Sequence, residues 1–503
     1  MKDKIKNQKN IFFMASIFFS LIMIFVALFN MPYQSFENDE LYTVGFICDK
    51  NSFIDLLKIY ITDEVTNPPL YAIFLYFWYR IVPRTVFWML LPNLIIFTIG
   101  TYFIHKLLYE ITGRYEAVFA SICITWLGYF RFRYMIYNLR SYAMLFMFSA
   151  LVLYFYYRRL RDESGKNIFL LGLFMLLASF SHYFGAVTMM SYAILDLILF
   201  LMKRVKFRSI LSYIMVFLLL FPYLMLSFAN STKNLSSFWG DKDSVLVVGI
   251  YMAANLGNAV IFMIIFCCFV LYLVRNIKKI KERQLSLKEI IGSADSLIRI
   301  TAIFNIFFTF VSTFIYSFYI NPEGSIFIRY YFTSVVPQLI LLSGFLINEL
   351  YSLKIFEGRS YLCWIFSGIV IISMIFGGVG FHNFYEVFQM VPYSRNMAEY
   401  IRSDKDRGNT PIFVAAAHGG QWDVAKYPVN GLKEFYLNDL DIDITDDVEE
   451  LKNYSKVYVW WYEFRGWESE TPDILYEHLN DEMQGFEMTY TDLDLGMSVF
   501  ERN

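Results

Sequence analysis

A chain of 503 residues that is 57% hydrophobic and 20% aromatic but only 17% charged is too apolar for a soluble enzyme, and its mean hydropathy of +0.45 agrees. Long apolar runs recur through the first three-quarters, each able to cross about 30 Å of hydrocarbon as a helix. The formal charge of -2 hides an asymmetry: residues 384–503 carry 24 acidic against 10 basic side chains, so the remainder is net basic.

Lys2, Lys4, Lys6 and Lys9 precede an apolar run over about 11–29. It is long for a signal peptide and no small-residue cleavage site follows, so it reads as a retained first span with a cytoplasmic N-terminus. A loop over about 30–85 comes next, containing Glu37-Asn38-Asp39-Glu40, an amphipathic helix at about 52–61, and Asn67-Pro68-Pro69-Leu70-Tyr71. The proline pair starts an apolar helix of about 13 residues over 70–82, too short to cross comfortably. Further spans are expected at about 86–108, 116–130, 135–157, 167–181, 185–202, 209–229, 245–274, 297–320, 327–350 and 361–380, about 11 in all.

Whether 70–82 crosses decides the side of everything after it. If it does not, three basic clusters are cytoplasmic, as the positive-inside rule requires. These are Arg158, Arg159 and Arg161; Lys203, Arg204, Lys206 and Arg208; and Arg275, Lys278, Lys279, Lys281 and Arg283. If it does, all of them lie outside. The segment is therefore read as an interfacial helix, and 30–85 as an extracytoplasmic loop. This places Arg131, Arg133 and Arg140, between the third and fourth spans, on the outer side, with Arg329 at the start of the tenth. Snorkelling to lipid phosphate accounts for single arginines at span ends. A cluster on the same face as an acidic loop is better explained by an anionic ligand, which the planar guanidinium grips through paired donors. An acidic side chain outside a span is not needed for insertion, whereas a carboxylate there can act as a general base on a hydroxyl or amine.

After residue 380 the composition changes. Strand-like runs at 411–416, 456–461 and 497–501 alternate with helical patterns at 394–403 and 472–480, a small soluble α/β domain over 384–503 that charge parity puts outside. His418 reads as a loop histidine and the acids from Asp439 to Glu450 as a solvated surface. Of five cysteines, Cys123, Cys267, Cys268 and Cys363 lie in apolar runs, and a lone external Cys48 makes no disulfide framework. No metal-ligand spacing is present.

The motifs resemble those of the GT-C-type glycosyltransferases that use polyprenyl-phosphate sugars, the superfamily of the protein O-mannosyltransferases (glycosyltransferase family 39) and the lipid A aminoarabinose transferases. Asp39-Glu40 after the first span, followed by Asn67-Pro68-Pro69-Leu70-Tyr71 opening a short helix, is similar to that family's first loop. Tyr137-Asn138-Leu139-Arg140-Ser141-Tyr142-Ala143, Ser181-His182-Tyr183-Phe184, and Arg329-Tyr330 before Pro337 follow in the family's order. Two positions depart: many members have histidine at Asn67 and an acid at Asn138. An amide cannot ionise, so a role needing charge at 138 is either absent here or supplied elsewhere, by Glu64 or Asp63.

The resemblance implies a GT-C-like bundle (1–383) with external juxtamembrane helices and a C-terminal α/β domain, in a multi-pass plasma-membrane protein. It implies transfer of one sugar from a lipid-phosphate donor to a glycan, glycolipid or protein acceptor, with inversion. Membrane lipids are its other partners, and nucleic acid has no part. Asp39 is then the base, and Glu40 orients the acceptor or shares that role. Arg140 and Arg329 stabilise the departing phosphate, helped by Arg131 and Arg133. Tyr142, His182, Tyr330, Glu64 and Asn67 complete the expected substrate contacts. No cofactor and no metal are expected, although some relatives use divalent ions. Two rival readings keep the same architecture: a polymerase or ligase taking an oligosaccharide from a pyrophosphate carrier, and a flippase for lipid-linked saccharides. Coupled transporters carry ionisable groups near the midplane; here Asp196 and Glu349 lie towards cytoplasmic ends and Arg299 begins a span.

Overall fold

The computed structural model describes residues 2–49, 52–62, 68–128, 135–234, 270, 293–315, 328–353, 355–356, 359–376, 393–405, 407–416, 422–445, 448–451, 453–462, 485–492 and 497–502. The expected span at 245–274 (apart from Val270), the expected helix at 472–480 and His418 lie outside these residues.

In chain order the helices are α1 (Lys2–Asn30), α2 (Asn38–Cys48), α3 (Phe53–Thr62), α4 (Leu70–Tyr79), α5 (Val86–Thr112), α6 (Tyr115–Leu127), α7 (Tyr142–Arg161), α8 (Gly165–Ser181), α9 (Tyr183–Leu201), α10 (Phe207–Asn234), α11 (Ala294–Ile315), α12 (Ile328–Tyr351), α13 (Ser360–Phe376), α14 (Tyr393–Ser403), α15 (Trp422–Tyr436) and α16 (Val448–Leu451). Six described segments are long and apolar enough to cross a membrane: Asn10–Tyr33, Val86–Thr112, Tyr183–Leu201, Phe207–Leu226, Ala294–Ile315 and Thr333–Tyr351. Helices α6, α8 and α13 are shorter apolar segments of the same kind. With ten residues, α4 rises only about 15 Å, half a hydrocarbon thickness. The protein is an all-helical, multi-pass membrane bundle with short additional helices and a small C-terminal sheet.

The chain resolves into two compact units. The first comprises Met1–Phe29, Leu57–Tyr71 and Leu91–Phe388; the second comprises Asn30–Leu56, Ala72–Leu90 and Gln389–Asn503.

In the first unit, α1, α6, α12 and α13 share a core of Phe12, Phe119, Cys123, Ile347, Tyr351 and Val370, with Phe12 stacked on Trp364 at 4.2 Å. A polar lock joins α7, α9 and α10. Asp196 is fully buried and accepts from both Arg159 Nη2 (2.5 and 2.7 Å) and the hydroxyls of Tyr156 (2.8 Å) and Tyr213 (2.7 Å). The guanidinium also lies over the Tyr156 ring, 4.5 Å from its centroid. In a low-dielectric interior such a pair holds only when both partners are present, because either charge left alone is strongly destabilising.

The second unit is built on a five-stranded sheet of β1 (Ile412–Ala416), β2 (Ile444–Thr445), β3 (Lys456–Tyr462), β4 (Phe486–Asp492) and β5 (Met497–Arg502), ordered β2-β1-β3-β5-β4. β1 runs parallel to β2 and β3, while β5 is antiparallel to β3 and β4. Phe413, Leu451, Val457, Val459 and Phe500 fill its core. The segment after α1 folds onto α15 of this unit. A Cβ placed on Gly45 of α2 would meet the Tyr427 carbonyl oxygen at 1.7 Å, and one on Gly431 of α15 would meet the Leu41 carbonyl oxygen at 2.3 Å. The two helices therefore touch backbone to backbone, a distance only glycine allows. Around that crossing the rings of Tyr42 and Phe46 meet Tyr427 edge-on, and Phe36 meets Phe435. Beside it the Tyr79 hydroxyl donates to Glu434 at 2.6 Å. Burial pushes the Cys48 thiol up to about 12, which leaves it a packing group and not a nucleophile.

Replacing Gly45 or Gly431 by valine is expected to destabilise the second unit by about 1–3 kcal/mol or more, as overpacking does. It should also expose 31–49 to protease. Gly368→Ala on α13, where an added Cβ meets nothing within 4 Å, is the neutral control. Thermal melts and limited proteolysis of the purified protein check both.

Candidate active site

In the second unit, the acidic string Glu37-Asn38-Asp39-Glu40 forms the start of α2. Glu37 is the N-cap: its side chain accepts from the Glu40 N–H, and Glu40 Oε2 in return accepts from the Glu37 N–H at 2.7 Å. This reciprocal capping box satisfies donors that every helix start leaves unpaired. It also separates the two carboxylates. Glu40 is fully buried and occupied in the cap, while Asp39, one residue earlier and about 100° round the helix, is half-buried. The Asp39 carbonyl takes the Thr43 hydroxyl at 2.9 Å, as a helix interior does.

The first unit holds the other motifs. The expected fourth span begins late, because residues 135–141 form a compact turn and α7 starts only at Tyr142, after the N-cap Ser141. Within this turn the Arg140 N–H donates to the Asn138 carbonyl at 2.8 Å. Asn93 of α5 donates to that same carbonyl at 2.7 Å and accepts from the Tyr71 hydroxyl at 3.0 Å. One buried amide thus ties the proline-rich motif to the motif that opens α7. The Asn138 Oδ1 is buried with no hydrogen-bond partner among the described residues.

His182 sits between α8 and α9 and caps α9, its Nδ1 accepting from the Phe184 N–H at 3.3 Å. That bond leaves the ring hydrogen on Nε2. Burial, with the nearby Arg140 guanidinium adding to it, holds the imidazole down at about 3, so it is neutral at physiological pH. The Tyr142 ring stands 6.2 Å from the imidazole. Tyr142 and His182 thus lie close together, and Arg140 is near enough for its charge to act on the imidazole.

Arg131, Arg133, Glu64 and Asn67 lie outside the described residues. Arg329 and Tyr330 fall in the first turn of α12, and their side chains are likewise outside. Among the described residues no group of three or more His, Cys, Asp or Glu side chains is disposed to hold a metal ion. Sequence reasoning missed Asn93, whose signal was an amide inside a long apolar run. It also missed Ser394, Arg395 and Tyr436, which hold the chain ahead of the acidic turn.

The fold resembles that of solved structures of one other membrane protein. The chain aligns with a crystal structure of ArnT from Cupriavidus metallidurans bound to undecaprenyl phosphate, at a TM-score of 0.54 and 9% identity over 96% of this chain and 97% of that one. It aligns also with ArnT of the same organism in the apo state, at a TM-score of 0.56 and 10% identity with the same coverage. No protein-family model matches the chain, and no curated protein does.

The depressed pKa of His182 sets a sign for acid stability. The unfolded imidazole binds a proton near 6.5 and the folded one only near 3, so the unfolded state takes up more protons in between. The contribution is complete above pH 6.5 and is lost as pH falls towards 3. Melting temperatures measured from pH 7.5 to 4 should fall, and fall less steeply in His182→Gln.

Proposed function

We propose that the protein is a membrane glycosyltransferase that moves a sugar from a polyprenyl-phosphate donor to an acceptor on the extracytoplasmic face, with inversion at the anomeric carbon. The observation that carries this reading is the full-length likeness of fold to a protein whose structure holds undecaprenyl phosphate. The pairing of Arg140 with a neutral His182 supports it from the residues.

The chemistry follows from those side chains. An acceptor oxygen or nitrogen attacks the anomeric carbon, the bond from that carbon to the phosphate oxygen breaks, and the electron pair stays on the phosphate. Arg140 and the His182 Nε2–H supply donors for the charge that grows there; Arg329, Arg131 and Arg133 keep the same role by family resemblance. Tyr142 and the unpartnered Asn138 Oδ1 serve the sugar, the latter as acceptor for a hydroxyl. Asp39 takes the proton lost by the acceptor. Glu40, held in the capping box, orients that turn and does not exchange protons with substrate. No metal enters this scheme. The basic clusters at the end of α7 and between α9 and α10 support a cytoplasmic N-terminus and an extracytoplasmic 384–503.

Release of polyprenyl phosphate from a labelled synthetic donor, in membranes that supply the acceptor, tests the assignment. Asp39→Asn should lower turnover about 10²–10⁴-fold. Glu40→Gln should act mainly on stability, by about 1 kcal/mol. Arg140→Ala should weaken donor use far more than acceptor use. Wild-type turnover by Asp39→Asn would remove the base.

A further inference from the structure

We infer that Tyr436, at the end of α15 and 400 residues beyond Phe36, is a positioning residue that sets the direction of the acidic turn and hence of the Asp39 carboxylate. The inference rests on the base role proposed for Asp39.

Segment 32–37 connects α1 to α2 without regular hydrogen bonding beyond its first turn, yet Gln34, Ser35 and Phe36 are buried. Buried main-chain groups need partners, and here the C-terminal residues supply them. The Phe36 N–H donates to Tyr436 Oη at 2.7 Å, and the Phe36 carbonyl accepts from Ser394 Oγ at 2.9 Å. Both polar groups of that residue are thus held by the distant end of the chain. Ser35 Oγ donates to Tyr436 Oη at 3.3 Å while accepting from the Arg395 N–H at 3.3 Å. The Arg395 guanidinium bonds the carbonyls of Pro32 and, at 3.0 Å, Gln34.

Tyr436 stands at the centre of this set. It is buried, its ring meets Phe36 edge-on at 6.1 Å, and the charge of Glu40 acts on its hydroxyl. Its oxygen is therefore fixed one residue before the N-cap, beside the carboxylate that closes the capping box. Because helix α2 is rigid from Glu37 onward, the anchor at Phe36 and the crossing at Gly45 are two points that determine the helix axis. A carboxylate on its first turn moves with that axis, and a displacement of about 1 Å costs a reacting geometry about 100-fold.

Tyr436→Phe keeps the ring and removes only the oxygen. In the full-length protein in nanodiscs, assayed with a synthetic polyprenyl-phosphate sugar, the variant should keep its donor KM within about twofold and lose about 10–100-fold in kcat. Amide hydrogen exchange should accelerate in peptides covering 34–40 and stay unchanged in the β3–β5 sheet. Glu501→Gln, which breaks a half-exposed ion pair with Lys456 on the same unit, should leave both readouts as in wild type. Wild-type kcat together with undisturbed exchange at 34–40 would overturn the inference. So would a parallel loss of kcat, donor KM and melting temperature, which is what a purely structural tyrosine gives. If wild-type protein turns over no polyprenyl-phosphate sugar at all, the transferase reading fails, and faster exchange at 34–40 in Tyr436→Phe still supports the anchor.

Discussion

The second unit depends on a contact between two helix backbones. Where α2 crosses α15, Gly45 lies against the Tyr427 carbonyl and Gly431 against that of Leu41, with no side chain between. Such proximity maximises dispersion contacts and aligns the flanking aromatic rings, but it tolerates no extra atom. Everything expected of the acidic turn follows from it, because the turn is the first turn of α2. The last hundred residues are for this reason part of the scaffold that carries Asp39, and not a separate appendage.

In the first unit the organising demand is different. Helices in hydrocarbon satisfy their own backbones, so polar side chains are kept only where they meet each other. The Arg159–Asp196 pair with Tyr156 and Tyr213 binds three helices in this way. The Tyr71–Asn93–Asn138 chain does the same for the turn that carries Arg140. The first is charged and leaves Nε and Nη1 of Arg159 without partners among the described residues; the second is neutral and leaves Oδ1 of Asn138 without one.

The long apolar helices among the described residues were legible because hydropathy over about 20 residues is a strong, local signal. The shortness of the helix at 70–79 was legible from the length of its apolar run. Less local features were not. Helix α2 was hidden because its acidic start reads as a loop and its middle holds Gly45. Helix α15 was hidden by Pro428 and Gly431 in its interior, both residues that argue against a helix when tertiary packing is unknown. Asp39 and Glu40 looked interchangeable as neighbours in sequence. Helical geometry sends them different ways, one into a cap and one to a half-buried position. Arg140 and His182 were named residue by residue, but the tautomer and neutrality of the imidazole depend on burial and on the Phe184 amide.

The pairing of α2 with α15 also sets a clock. A ribosome that has finished residue 48 must add the chain up to residue 436 before the partner helix exists. At about 5–20 residues per second this takes roughly 20–80 s. Throughout that interval the acidic turn has emerged but has neither its glycine seat nor its tyrosine anchor. A nascent or truncated chain can therefore hold an inserted bundle and still lack an ordered first loop. The packing of the acidic turn's helix thus waits on residues 422–436, synthesised long after it.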